Sequence, residues 1–401
     1  MILLGSFLHH EELADIIGRV LEDRMRPEDA ARLKLLLNLN SYVVRLYSRM
    51  FAQRVFQMLH GSAVLNHPAR TKGELKDVIV AHPPNTNPRI QELVSRYRRF
   101  PEDYYRETPY EGRFFTTGDP PSYAGSCRIK RIRRIAEKCA RRIIDYMLEQ
   151  IRRRADELAI ERAHRHGIHK DQLITPPEEM TAEFEHAERR VLKSIRDGLF
   201  VAAMPQFYID DCVGIRIITT PATAPRVAEW FASSSDLSIV DEKHFSGAFN
   251  GSNMVVAWRY PKEELLANPP NDFAVDVLLA RNVIANRSEA VTVYEAMIQS
   301  DPGFVRFEIL TVDYEQLLES EIGRSMHEEH IRSQRENAAY GGRLAQNVEA
   351  LMIYLFAYAQ SSNAELPEMP IKLRGTYLPD YLASLLRDLY APNAAHMGLT
   401  F

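Results

Sequence analysis

Apolar residues recur at helical spacing over most of the first 200 positions, then give way to β-type runs near residue 207. The stretch 9–60 predicts helix. Pro27 suits a first helical position, Glu28 and Asp29 favour the positive helix start, and Gly61 ends the run. A second amphipathic helix is expected over about 88–100. Residues 101–127 break the periodicity, because Tyr104, Tyr105, Tyr110, Phe114, Phe115 and Tyr123 are interspersed with Pro and Gly. They predict a loop whose aromatics pack on the core or close over a ligand. From 128 to 166 there is no Pro or Gly, and Ile132, Ile135, Cys139, Ile143, Tyr146 and Met147 predict one long helix ending at Gly167. Thr175-Pro176-Pro177-Glu178-Glu179 opens another that runs to Gly198.

The Ile- and Val-rich stretch 207–219 predicts a buried strand. A short helix follows over 224–232, then strand-like runs near 237–241, 252–260, 272–280 and 303–311. From Tyr314 onward helix is expected again, with 351–359 as its most apolar, buried part. The fold class is therefore α/β of the α+β type, with a mixed sheet between about 207 and 311 and extensive helical regions at both ends.

A chain of 401 residues exceeds one minimal core and suffices for two or three packed units. With 45% apolar and 26% charged residues it is not a disordered chain. The net charge of −4 means that affinity for an anion must come from local clustering. The three cysteines (Cys127, Cys139, Cys212) form no CxxC pair, which argues for a reducing compartment without disulfides or structural zinc. The N-terminus lacks the basic region of a signal peptide, and no apolar run is long enough to span a bilayer. A cytoplasmic protein with no membrane partner is expected. A homo-oligomer stays open.

Three constellations could carry chemistry. Between Arg128 and Arg154 the chain is strongly basic, and on a helix positions 130, 134, 138 and 141 share one face. Such a stripe either grips a triphosphate or forms a solvated charged face. In Asp210-Asp211-Cys212-Val213-Gly214-Ile215-Arg216 two carboxylates stand where a buried strand begins, suited to Mg²⁺ or to strand-edge capping. On an ideal strand Asp211 and Arg216 would face opposite sides. Glu308 interrupts an apolar β-prone run, so it should be at an edge, paired or functional. The histidines of His327-Glu328-Glu329-His330 are three apart, which fits a helical surface turn better than a zinc site.

In this order the pieces resemble the RelA/SpoT alarmone synthetases over roughly residues 125–335. The family's first motif, R-x-K-x-x-x-S-[IV]-x-x-K, corresponds to residues 128–138, with Arg134 in place of the serine. The second, D-[LIV]-[VI]-[GA]-[IV]-R, corresponds to Asp211-Cys212-Val213-Gly214-Ile215-Arg216. The third, a lysine followed by G-Y-x-S-x-H, is eroded: Lys243 and Gly247 fit, but Ala248 replaces the stacking tyrosine and Ser252 the histidine. The fourth begins at Glu308-Ile309, with Leu310 replacing a glutamine, and its A-E-x-G-x-A-x-H end corresponds to residues 320–327. Asp276, in Val275-Asp276-Val277, is a rival for the place of Glu308.

The resemblance implies a nucleotidyltransferase-like core at 125–335, with insertions at about 139–205 and 260–300. A helical N-terminal region (1–124) and a helical C-terminal region (336–401) would flank it. It also implies transfer of the β,γ-pyrophosphate of ATP to the 3′-hydroxyl of a nucleotide or RNA. The first motif on its helix (Arg128, Lys130, Arg134, Lys138) and Arg216 would hold ATP. Asp211 and Glu308 would hold Mg²⁺ and act in catalysis, with Glu308 activating the acceptor hydroxyl. Lys243 and Gly247 would contact the acceptor, a guanosine nucleotide or tRNA, since some small toxic relatives modify tRNA 3′ ends. The contrasting expectation is a catalytically degenerate synthetase fold serving as a nucleotide- or RNA-binding regulatory or structural subunit. The chain has no His-Asp dipeptide, so the hydrolase of bifunctional relatives is not expected.

Overall fold

The computed structural model describes residues 1–61, 64–245, 251–323 and 343–360. Alternation of apolar and polar side chains builds one mixed seven-stranded sheet from β2 (Val64–Thr71), β3 (Pro109–Thr117), β4 (Ser122–Ile129), β6 (Val213–Ile218), β7 (Leu237–Phe245), β8 (Gly251–Arg259) and β9 (Phe304–Val312). Their spatial order is β2-β3-β4-β6-β9-β8-β7. All neighbours are antiparallel except β6 and β9, which run parallel. A separate two-stranded parallel ladder joins β1 (Ile2–Leu4) to β5 (Phe207–Ile209).

One face of the sheet is continuously apolar, with Phe115, Cys127, Ile215, Ile217, Met254, Val256, Phe307 and Ile309 all buried. It packs against α2 (Asp29–His60), whose aromatics meet it ring to ring. Phe51 stacks on Phe307 at 4.3 Å between centroids, and Phe56 on Phe115 at 4.2 Å. The buried residues Ile135, Cys139, Ile143, Met147 and Ile151 of α5 (Ile132–Arg165) belong to the same core. α6 (Pro177–Arg196) and α13 (Arg343–Ala359) pack against α5. Burial of Phe51 against an aromatic partner predicts that Phe51→Ala costs about 3–5 kcal/mol. Denaturant unfolding of the variant checks this.

The other sheet face is covered only in part. α3 (Lys72–Ala81), α4 (Pro88–Arg99) and α12 (Tyr314–Leu318) form a second core there with Phe114, Tyr123 and Val312. Beyond that cover this face of β4, β6, β8 and β9 carries Ser126, Arg128, Arg216, Asn253 and Glu308 among other residues, and they make the cleft described below.

Several expectations are corrected. The run 9–60 is two helices, α1 (His10–Leu21) and α2, with Pro27 between them and not at a helix start. The stretch 101–127 is no loop: after a 3-10 turn (Pro101–Tyr104) it forms most of the β3–β4 hairpin, which buries Phe114, Phe115 and Tyr123, while Tyr110 is half-buried and Tyr105 exposed. Residues 64–117, expected in a helical region, thus contribute two strands to the sheet. The helix expected from Arg128 starts at Ile132, leaving Arg128 on β4 and Lys130 in the link. The run 207–219 is broken by a 3-10 turn, Asp210–Cys212, between β5 and β6. The strand expected at 272–280 is helix α10 (Asp272–Ala280), where Asn271 caps the start by accepting a hydrogen bond from Ala274 N. The remaining helices are α7 (Phe200–Ala203), α8 (Ala224–Ser233), α9 (Lys262–Leu266) and α11 (Arg287–Ser300).

Candidate functional site

The strand register assembles the site. Arg128, Gly214 and Glu308 stand opposite one another on three adjacent strands, and Ser126, Arg216, Leu310 and Asn253 form the next row on the same face. Gly214 is what lets its row interact. A Cβ there would stand 3.2 Å from Arg128 Nε and 3.4 Å from Glu308 Oε2. Without it, Arg128 reaches across β6, and its Nη2 lies 3.5 Å from Glu308 Oε2. Asn253 Nδ2 donates to the other carboxylate oxygen of Glu308 at 3.0 Å.

Asp211 enters from the 3-10 turn that precedes β6, so the strand parity relating it to Arg216 does not apply. Its φ/ψ of −94°/20° lies in the bridge region. Lys130 Nζ donates to the Asp211 carbonyl at 2.7 Å and pairs with its carboxylate, which Lys138 of α5 also contacts. Burial alone would raise the Asp211 carboxyl, but the two ammonium groups outweigh it and hold the acid well below the usual carboxylate range. Burial, aided by the nearby Arg128 guanidinium and opposed by Asp211, pushes Lys130 down to about 8.

Beside it, burial and the neighbouring acids raise Asp210 to about 6 against the pull of Arg306, 3.7 Å away. Arg306 in turn lies over the Tyr208 ring at 3.5 Å.

Further along the cleft Arg216 Nη1 donates to Glu321 Oε1 at 2.7 Å, and Lys72 Nζ lies 3.0 Å from Glu321 Oε2. The cleft has a cavity volume of about 30 Å³ and is lined by Lys72, Tyr110, Arg128, Arg216, Glu308 and Glu321 among others.

Arg128, Arg216 and Glu308 therefore line one cleft, with Lys130, Lys138 and Asp211 clustered beside it: Lys130 feels the charge of both Asp211 and Glu308. Arg134 is not brought in; it pairs with Glu137 of its own helix. The rest of the basic run is a solvated face, with Arg141–Asp145, Arg153–Glu149 and Arg154–Glu157 ion pairs along α5. Lys243 shares the sheet face, opposite Asn253, but is 68% exposed on edge strand β7 and pairs with Asp241 at 2.9 Å. Gly247, Ala248 and His327–His330 lie outside the described residues. The rival Asp276 is excluded from the cleft, since it sits exposed on α10 and pairs with Arg287.

Lys72, Asn253 and Glu321 are site residues that sequence reasoning missed. For Lys72 no local signal exists, because only the tertiary fold carries α3 to the cleft. Glu321 lies inside the quoted end of the fourth motif, and an acid at that place was the available clue.

Each of the two carboxylates is paired with cations, Asp211 with Lys130 and Lys138 and Glu308 with Arg128. No group of three or more His, Cys, Asp or Glu side chains is placed to hold a metal among the described residues.

The fold and site thus define a mixed α/β protein with a polar, ion-paired cleft on the open face of its sheet. Comparison with protein-family models, with curated proteins and with solved structures finds no match. Among the described residues no helix is long and apolar enough to cross a membrane.

Proposed function

We propose that the chain is a RelA/SpoT-like pyrophosphate transferase with a nucleotidyltransferase-like core, whose cleft binds the triphosphate of ATP. The observation that carries this reading is the convergence of three motif segments. Arg128 and Glu308 are 180 positions apart in the chain, yet they meet over Gly214 of the second motif. Five cations (Lys72, Arg128, Lys130, Lys138, Arg216) face three carboxylates (Asp211, Glu308, Glu321), an excess that suits a polyanion.

Lys130 and Lys138 would grip phosphate oxygens, and Arg128 would neutralise charge developing on the transferred group. Asp211 and Glu308 would hold Mg²⁺, which supplies charge neutralisation on the phosphates when bound. Glu308 would also orient the attacking 3′-hydroxyl, its position fixed by Asn253 and Arg128. The acceptor would be a guanosine nucleotide or the 3′ end of tRNA, in the cytoplasm.

The test supplies labelled ATP with GDP, GTP, adenosine nucleotides and bulk tRNA. Labelled pyrophosphate on one acceptor, with AMP released in equal amount, is the expected outcome. ATP bound but label on no acceptor would favour the binding-only regulator, a reading that Ser252 at the place of the family's histidine supports. No ATP binding at all would end both.

A further inference from the structure

Three chain segments with no sequence proximity meet in the wall of the cleft. Lys72 is the first residue of α3, Arg216 lies in β6, and Glu321 sits in a π-helical turn (Glu319–Gly323) that follows α12. The Glu321 side chain is only 1% exposed, and each of its two carboxylate oxygens faces a different cation, at 2.7 and 3.0 Å. The two cations therefore grasp a two-oxygen anionic edge, the same edge that a phosphate group presents. All three residues also line the cleft.

We propose that Lys72 and Arg216 form an anion subsite for a phosphate group of the ligand, which Glu321 fills with its own carboxylate in the ligand-free protein. The identity of the ligand rests on the phosphate reading of the cleft given above. The pairing has a physical rationale. Glu321 balances the charge of both Lys72 and Arg216 with one carboxylate. A ligand phosphate does the same once Glu321 swings away.

The π-turn is the element that lets this happen. Such turns are rare and concentrate at functional positions, and their looser ladder gives a side chain room to reorient. The turn is anchored from outside the cleft: Arg89 Nε donates to Glu319 at 2.6 Å, and Asn87 Nδ2 to Glu315 of α12 at 2.6 Å. Displacement is thereby confined to the Glu321 side chain, while the turn and α12 stay in place. Glu321 then acts as a competitor that raises the ligand concentration needed to fill the cleft.

Calorimetric titration with inorganic pyrophosphate in magnesium-free buffer tests the subsite without relying on turnover. Glu321→Gln is expected to bind pyrophosphate at least tenfold more tightly than wild type. Glu321→Asp, which keeps the charge but shortens its reach, should gain about threefold, and it serves if the glutamine variant fails to fold by circular dichroism. Adding Lys72→Met to Glu321→Gln should abolish the gain. Equal or weaker binding in the folded Glu321 variants would overturn the subsite and leave Glu321 as a residue that merely holds Arg216 in place, with the cleft reading intact. No pyrophosphate binding by wild type or any variant would overturn the subsite and the phosphate reading together.

Discussion

Replacing Lys130 and Lys138 together by alanine is expected to weaken Mg-ATP binding by two to four orders of magnitude. Each charge-assisted contact to phosphate is worth about 1.5–3 kcal/mol, and both ammonium groups converge on the same point beside Asp211. The effect carries a pH signature. Lys130 is pushed down to about 8 by burial and by Arg128, so it is a cation at pH 7 and loses its charge as pH rises through that value. Affinity for a non-hydrolysable ATP analogue should therefore fall between pH 7 and pH 9. Lys130→Arg, whose guanidinium stays protonated, should flatten that fall. Calorimetry across the pH range reads both. Affinity unchanged in the double alanine variant would return these lysines to a purely structural clamp on the turn at 210–212.

Asp211→Asn is expected to lower pyrophosphate transfer by about 10²–10³-fold, because charge neutralisation by a bound metal is worth several kcal/mol at the transition state. The amide keeps the shape of the side chain but cannot hold the ion. It also leaves Lys130 and Lys138 without their shared counter-charge, so stability should drop by about 1–3 kcal/mol. The sign of the pH dependence is fixed. Asp211 has a folded-state value below its ordinary 3.8, so its contribution is fully present above about pH 4 and is lost as pH falls through the folded value. The stability gap between wild type and variant should therefore narrow as pH falls below about 4. Melting curves at pH 7 and pH 3 separate this loss from the catalytic one. Transfer at the wild-type rate in a folded Asp211→Asn protein would remove the metal-ligand role.

Legibility differed by element, for physical reasons. α4, α6, α8 and the strands β8 and β9 carry clean periodicity, because each presents one face to a core. The β3–β4 hairpin did not read as strand because its glycines look like loop punctuation. In fact a Cβ at Gly112 would come within 2.4 Å of the Cys127 carbonyl, and one at Gly125 within 2.2 Å of the Arg216 carbonyl. These are close backbone approaches within a sheet, and they use glycine for lack of bulk. α10 misled in the opposite sense, since a nine-residue apolar run suits strand or helix and only the capping Asn271 distinguishes them. In the site, Asp211, Arg216 and Glu308 were legible as charges set into apolar β-type sequence. The basic run overstated its reach: of its arginines and lysines after Arg128, only Lys130 and Lys138 turn to Asp211, while Arg133, Arg134, Arg141, Arg153 and Arg154 pair with acids on α5. Lys72 and Asn253 enter through strand order and helix packing, which one-dimensional spacing does not encode.

The parallel pairing of β6 with β9 sets when the cleft can come into existence. The chain leaves β6, builds the β7–β8 hairpin and the helices α9 to α11, and only then returns β9 to a slot between β6 and β8. Closing so long a loop before any ladder bond repays it makes this insertion an intrinsically slow, late step. A nascent chain that ends before residue 304 already has its α2 core residues and its β2–β3–β4–β6 strands, but it has no Glu308 and no floor to the groove. Binding of the proposed ligand would thus be confined to molecules that have completed folding. A nucleotide present at a hundred times its dissociation constant would favour that completed state by about 2.7 kcal/mol, acting as a late selector for finished chains.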